Sequence, residues 1–418
     1  MDTALVGRLG AAQLGALAIG TAAFMVSFWA FSFLAYGTTP RVATALGRGD
    51  DETATRVGVQ GLFVAVAIGA VVTVAGIVLA GSVVEWLGAD AEVRPYAEPY
   101  LRIRMLSTIP VLVVTVGHGW LRGAHDTRTA MAIVVTGAAV NAVLDYLFIY
   151  PMGWGVEGAA WATVIGQLGA AIAFWIVLAR RFVSPSWRPH RETMRSFVKV
   201  AGDLIARTGL LLGGLTLATA VAARMGVVEL ASWQVAMQVF TLLAFTLDSV
   251  AIAAQAMIGR AFGSGSIDRS RELATRFMQL GLTLGVALLV VLLATRGLLA
   301  KAFSDDPAVV AAVVPLLAWV ALIQPLSGAA FTLDGILIGA SDTRFLAGAM
   351  ACASAVLAAI AWLSLESGWG TTGLAVGITA WLAVRTILLK LRMDRIHAPM
   401  TDASSEKARS TSSSLLKK

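Results

Sequence analysis

GAHDTR, residues 123–128, returns as GASDTR at residues 339–344, an offset of 339 − 123 = 216 residues. The same offset aligns TALVGRLG from Thr3 with TAVAARMG from Thr219, and LGRG at 46–49 with FGSG at 262–265. Three matches at one spacing mark a duplication, with the same order of elements in each half. Whatever one half folds into, the other repeats it in parallel.

The composition says what is repeated. The chain has 418 residues, 58% hydrophobic and only 14% charged, with a mean hydropathy of +0.79. Soluble domains carry about 25% charged residues, so this is a polytopic membrane protein. Forty-one glycines against eleven prolines fit closely packed transmembrane helices, where small residues let backbones approach. The net charge of +7 is dispersed between apolar runs and forms no stripe for nucleic acid. Cys352 is alone, so packing and no intrachain disulfide holds the fold.

A membrane-crossing helix needs about 20 apolar residues. Spans are expected near 15–46, 53–84, 96–122, 127–150, 156–181, 197–223, 228–262, 272–300, 308–340, 343–366 and 369–391. A shorter element, MDTALVGRLG, opens the chain. Asp2 and Arg8 interrupt it, which argues against a signal peptide. If it is the outer part of a first helix, each half has six helices and both ends lie inside. Every second loop is basic: Arg41, Arg48 and Arg56; Arg122 and Arg128; Arg180 to Arg195; Arg260, Arg269, Arg271 and Arg276; Arg344; Lys390, Arg392 and Arg395. The loops between are acidic or sparsely charged, as at Glu85, Asp90 and Glu92, Glu157, Glu229, Asp305 and Asp306, and Glu366. Basic loops face the cytoplasm, which places the C-terminus there, in the inner (cytoplasmic) cell membrane.

The expected fold is all-α: two six-helix bundles related by a pseudo-two-fold repeat, with the first helix truncated. The N-lobe covers 1–181, a cytoplasmic linker 182–195, the C-lobe 196–395, and a disordered polar tail 396–418. Such parallel repeats are a signature of secondary transporters, with substrate bound near the midplane where the halves meet.

Within this apolar chain, NAVLDYLFIY at 141–150 carries an asparagine and, one turn later, an aspartate. A charged Asp near the bilayer centre costs roughly 2.5–3.5 kcal/mol on insertion scales. It avoids that by taking a proton, by pairing, or by holding a cation, and each option is transport chemistry. Asn141 and Asp145 project from one helical face. Asp2, Tyr100, His118 and Thr163 are polar positions in neighbouring helices of the same half, able to complete a hydrogen-bonded pocket. Under the 216-residue offset Asp145 meets Ala361, Asn141 meets Leu357 and Asp2 meets Ala218. The polar set therefore belongs to the first half alone. Asp248 and Asp334 are the corresponding candidates for a substrate cavity in the second half, while Asp126 and Asp342 read as helix-end turn residues. Arg102 and Arg104 lie near the outer end of their helix and can snorkel.

The paired GA-x-DTR segments, VNAVLDYLFIY followed by GVEGAAWATVIGQ, DTALVGRLG and FTLDGILIGASDTR closely resemble the multidrug and toxic compound extrusion (MATE) family, in its DinF-like branch. The resemblance spans nearly the whole chain. It implies an N-lobe cation site at Asp2, Asn141, Asp145 and Thr163, taking H⁺ or Na⁺, with Tyr100 carried over from the fourth helix. The fourth-helix Asn of family members is His118 here, and imidazole titrates near about pH 6.5, which tilts coupling toward protons. Family members carry most of a helix before the equivalent of Asp2, so the expectation is a misassigned start at Met1 and a natural N-terminal extension. The resemblance further implies antiport of amphipathic organic cations or other drug-like molecules, held by walls such as Phe24, Phe28 and Trp29. No cofactor, no nucleic acid and a monomer in the bilayer are expected.

A lipid-linked oligosaccharide flippase of the same superfamily is the alternative. It needs a strongly cationic central cavity, and few Lys or Arg are read at mid-span. GRGD at 47–50 matches the GxGD of intramembrane aspartyl proteases but falls in a turn with no partner Asp, and no HExxH, GxSxG or Cys-His set occurs. An enzyme is not expected.

Overall fold

The computed structural model describes residues 2–31, 33–183, 187–188, 190–303 and 305–397, with the side chains at 26–30, 191, 192, 195, 196 and 198 outside that set. Among the described residues there are fifteen helices and no strand. The first half holds α1 (Asp2–Val6), α2 (Ala11–Phe31), α3 (Phe33–Gly47), α4 (Asp51–Trp86), α5 (Arg94–Met105), α6 (Thr108–Gly123), α7 (Thr127–Ile149) and α8 (Gly155–Arg181). The second holds α9 (Arg191–Met225), α10 (Val227–Gly263), α11 (Ile267–Phe303), α12 (Pro307–Leu322), α13 (Gln324–Gly339), α14 (Thr343–Glu366) and α15 (Gly370–Ile396).

The repeat read from three short matches extends along the backbone. Shifted by 216 residues, the start of α2 falls on that of α10, the end of α3 on the end of α10, and both ends of α6 on those of α13. His125 and Ser341, the variable residues of the two GA-x-DTR turns, adopt left-handed φ of 60° and 61°, a conformation uncommon outside glycine. The register slips by one residue before the last helix, since 370 − 155 = 215.

Eight described helices are long and apolar enough to cross a membrane, or ten if each bent pair is one span. The bent pairs are α5 with α6, at 45°, and α12 with α13, at 48°, where the sequence predicts unbroken spans at 96–122 and 308–340. Leu106 and Ser107 form the first break and Ile323 the second. Polar side chains add hydrogen bonds to carbonyls there: Ser107 Oγ donates to Arg104 O at 2.7 Å and Thr108 Oγ1 to Met105 O at 2.7 Å. In the second break Gln324 Nε2 donates to Val320 O at 2.9 Å and Ser327 Oγ to Ile323 O at 3.0 Å. Such local re-satisfaction makes broken helices tolerable in lipid. Within the predicted span 15–46, α2 and α3 are helical, and residue 32 between them lies outside the described residues.

Between the lobes, Val183, Arg188 and His190 lie against α4, with Val183 N donating to Thr55 Oγ1 at 3.0 Å. Gln60, fully buried, donates through Nε2 to Arg188 O at 2.9 Å and accepts at Oε1 from His190 N at 3.0 Å. Helix α9 begins at Arg191, so the last five residues of the predicted linker 182–195 are helical. Of the tail expected at 396–418, residues 398–418 lie outside the described set.

The lobes meet chiefly through α3 and α10, and glycine makes the approach possible. A β-carbon on Gly47 would overlap the backbone of Arg260, and one on Gly263 the backbone of Thr44. These two contacts exchange under the 216-residue offset, so the pseudo-two-fold axis runs between them. Gly259 packs on Ala43, its own equivalent, and Thr44 Oγ1 donates to Gly259 O at 3.0 Å. The contact lies at the helix ends that lead into basic loops. GRGD belongs to this turn, where Asp50 caps α4 by accepting from Thr53 N at 2.8 Å.

Overpacking a tight helix contact costs about 1–3 kcal/mol. Gly47→Leu and Gly263→Leu are each expected to lower the thermal midpoint of the purified protein by several degrees, and by similar amounts because the contacts are equivalent. A calorimetric or fluorescence melting curve reads this.

The turn before α7 supplies a pH test. Asp126 accepts from Thr129 N at 3.0 Å and Thr129 Oγ1 at 2.7 Å, and pairs with Arg181 at 2.5 Å. The Thr129 amide first, then the Thr129 hydroxyl and Arg181, hold its carboxyl below the usual carboxylate range against partial burial. A lowered folded value means this cap contributes fully above the unfolded pKa of about 4. Its contribution fades as pH falls through the folded value. Asp126→Ala is expected to cost about 1 kcal/mol at pH 7, and the gap to wild type should close in acid.

Candidate functional site

Asp145 is fully buried on α7, and neither of its carboxylate oxygens has a hydrogen-bond donor among the described residues. It stands four residues before the end of α7 at Ile149, about 6 Å of helix rise. That is nearer the end of the lobe remote from the basic loops than the midplane depth the sequence suggests. Helix α1 brings Asp2 to it: α1 packs on α7 and α8, Tyr150 OH donates to Leu5 O at 2.8 Å, and the Asp2 carboxyl faces that of Asp145. Val6, Leu17, Tyr100, Ile149, Val156, Ala159 and Ala160 form one buried apolar cluster around the pair.

The remaining sequence candidates fall into three groups. Tyr100 joins the carboxyl pair, with Asp2 as the acidic group acting on it, its ring against Gly20 and its hydroxyl 3.4 Å from Thr21 Oγ1. Asn141 and Thr163 flank the pair along the α7–α8 contact. Asn141 lies against Gly166 with its buried Nδ2 unpartnered among the described residues, while Thr163 donates to Ala159 O at 2.9 Å. His118 stands apart. Its ring packs on Phe174 at 4.9 Å between centroids, and Arg122 is the charge that acts on it.

Arg104, read from sequence as a snorkelling residue, points inward. It donates to Ser107 Oγ, lies 3.9 Å over the Phe24 ring, and interacts with Tyr100 and Asp2. Phe24 is 3% exposed, packs in a buried apolar cluster and is the seat of this cation–π contact. The side chains of Phe28 and Trp29 lie outside the described residues. No group of three or more His, Cys, Asp or Glu able to hold a metal ion occurs among the described residues. Two carboxyls with an amide and a hydroxyl oxygen nearby make an oxygen-only set suited to a proton or a hard monovalent cation.

The second half carries a different arrangement. A cavity of about 230 Å³ is lined by Tyr36 of α3 and by residues of α9, α10, α13 and α15, among them Arg207, Asp248, Asp334, Trp381 and Arg385. Asp334 takes ion pairs from both Arg207 and Arg385, with Arg385 Nε also donating to Oδ1 at 3.4 Å. Tyr36 OH donates to Asp248 Oδ2 at 3.5 Å, and Gln255 Nε2 to Tyr36 O at 3.0 Å. The sequence reading singled out Asp248 and Asp334 but held that few basic residues lie at mid-span. Arg207 and Arg385, midway along α9 and α15, correct that. Both fall inside predicted spans, and the rule that makes an intramembrane carboxylate suspect applies equally to arginine.

The repeat sharpens the contrast. Ala218, Leu357 and Ala361, the equivalents of Asp2, Asn141 and Asp145, are fully buried in one apolar core. Asp334 is the equivalent of His118, since 334 − 118 = 216. Each lobe thus places its ionisable groups where the other is apolar or differently charged.

Duplicated helix bundles with buried ionisable sites define a membrane transporter. Residues 1–147 and 209–363 match the MatE family, once in each half. The chain is 31% identical over 408 residues to Protein DETOXIFICATION 44, chloroplastic, of Arabidopsis thaliana, covering 93% of this chain and 76% of that relative. It is 27% identical to DNA damage-inducible protein F of Escherichia coli (strain K12), over 93% of this chain and 86% of that one. With Probable multidrug resistance protein NorM of Geobacillus kaustophilus (strain HTA426) it shares 25% identity, over 94% and 89%. A MATE crystal structure in the bent conformation superposes with a TM-score of 0.88 at 21% identity, covering 94% of this chain and 90% of that chain. The chain belongs to the MATE family of membrane transporters, and is an integral membrane protein, not an enzyme.

An unpartnered buried carboxyl is a burden on the fold. Asp145→Leu is expected to melt at or above the wild-type midpoint in detergent, whereas a fall of several degrees would make Asp145 a structural anchor.

Proposed function

We propose that the chain is a secondary active multidrug efflux transporter that expels small amphipathic organic compounds in exchange for H⁺ or Na⁺. The observation that carries this is Asp145, buried without a hydrogen-bond donor and facing Asp2. Two carboxylates and the Arg104 guanidinium leave one negative charge, which one proton or one Na⁺ neutralises. Asn141 and Thr163 supply further oxygens beside the pair, and Tyr100 its hydroxyl. His118, three turns from Thr163 on the scale of its partner Phe174, is assigned no part in holding the ion.

The seam between α3 and α10 supports alternating access. With basic loops on the cytoplasmic face of the inner membrane, and the C-terminus there too, the lobes are joined on the cytoplasmic side in this state. A cation entering from outside neutralises the carboxyls and draws α1 onto α7. Rocking about the seam then exposes the ion to the cytoplasm. One charge moved down about 100 mV yields about 2.3 kcal/mol, and one unit of ΔpH about 1.4 kcal/mol per proton. One chain holds both lobes and the cavity, so a monomer suffices.

The two mid-span arginines bear on the flippase alternative. Asp334 and Asp248 offset their charge, and a cavity of about 230 Å³ is small for a lipid-linked oligosaccharide.

Uptake of a fluorescent organic compound into energised inverted vesicles is expected under an imposed H⁺ or Na⁺ gradient. Asp145→Asn should reduce it at least about tenfold, the scale of losing one ion-dependent contact. Equal uptake by the mutant would remove Asp145 from the coupling site.

A further inference from the structure

The cavity of the second half carries more positive donors than its own acceptors can take. Each guanidinium presents five N–H donors, and Arg207 and Arg385 share Asp334 as their carboxylate. Arg207 Nε, Arg385 Nη1 and the indole Nε1 of Trp381 are buried without hydrogen-bond partners among the described residues, while Arg385 Nη2 is the atom paired with Asp334. Arg385 is 1% exposed. All three residues line the cavity. Buried donors of this kind call for an acceptor.

Charge decides which acceptor. The ionisable groups with formal charge on the wall are Arg207 and Arg385 against Asp334 and Asp248. With both carboxylates ionised the wall is neutral, and any proton it gains makes it positive. It never becomes negative, so electrostatics does not select an organic cation there. Phe240, Phe245, Phe331 and Leu211 supply apolar walls, and the volume of about 230 Å³ admits a body of one or two rings.

We propose that this cavity is a binding site for a small aromatic carboxylate, its carboxylate accepting from the free guanidinium and indole N–H groups of Arg207, Arg385 and Trp381 and its ring lying on the phenylalanines. The inference rests on the transporter reading above and names the substrate class of the second lobe. It replaces the organic cations expected from sequence with organic acids at this site.

The test uses the full-length protein in lipid nanodiscs and equilibrium dialysis with no ion gradient. The probes are radiolabelled 2-naphthoate, 2-naphthylmethylammonium and 2-naphthylmethanol, alike in size and different in charge. Naphthoate is expected to bind at least about tenfold more tightly than either analogue, the scale of a charge-assisted bidentate contact. Arg207→Gln should weaken naphthoate about tenfold. Trp381→Phe, which leaves every charge in place, should weaken it about threefold and decides the matter if Arg207→Gln does not fold. The ammonium binding as tightly as naphthoate, or both variants binding it like wild type, overturns the site. Loss of ion-driven transport in vesicles, with naphthoate still bound at equilibrium, would overturn the antiport reading alone.

Discussion

The contact between α3 and α10 is the constraint on which the arrangement turns. Gly47 meets Arg260 and Gly263 meets Thr44 at distances that a β-carbon forbids. A duplicated chain that closes on itself through equivalent surfaces behaves like a two-fold dimer, in which every contact is made twice. One pair of glycines therefore fixes the approach of both lobes. The turns that follow, around Gly49 and Gly265, share a left-handed φ of 72°.

Symmetry governs the backbone and stops at the ionisable side chains. Gly119 and Gly123 seat α6 on Ala35 and Thr39 as Gly335 and Gly339 seat α13 on Ala251 and Gln255. Small residues four apart give close helix contact in both lobes. On that common frame the N-lobe buries Asp145 against Asp2, where the C-lobe has alanines. The C-lobe in turn buries two arginines around Asp334, whose counterpart is His118. The duplicated scaffold has kept the packing and separated the charges, which in the proposed function leaves ion and substrate different sets of groups.

The repeat, the helical content and the asymmetry of Asp145 were legible because each depends on local residue identity at a fixed offset. In the structure Asp2 lies beside both Asp145 and Tyr100. Arg104 was not legible: its place near a helix end fits both a snorkelling and an inward rotamer, and stacking on Phe24 decides for the second. The breaks at 106–107 and 323 were missed because each is only one or two residues long and each helix pair together is apolar enough to read as one span, although Ser107, Thr108, Gln324 and Pro325 stand at them. Arg207 and Arg385 were visible inside predicted spans, yet their convergence on Asp334 joins three helices far apart in sequence, which no periodicity reveals.

In the proposed antiport, the route from a proton or cation at one end of a lobe to the seam at the other is set by how little slack lies between. Asn141 on α7 abuts Gly166 of α8, Phe174 of α8 abuts Gly117 of α6, and Gly119 of α6 abuts Ala35 and Thr38 of α3. Each step is a glycine against a side chain or backbone, with no room for one helix to slide while the next stays still. Protein interiors packed in this way do not deform continuously and transmit displacement as bodies. The broken helix α5–α6 is where the first lobe has an alternative, because the side chains of Ser107 and Thr108 also hold carbonyls at the bend. Tyr100 and Arg104 sit just before that bend and interact with Asp2. In the proposed antiport, neutralising the carboxyl pair would change the pull on the segment preceding the bend, and the packed helices beyond it would carry the change to α3 and so to the seam.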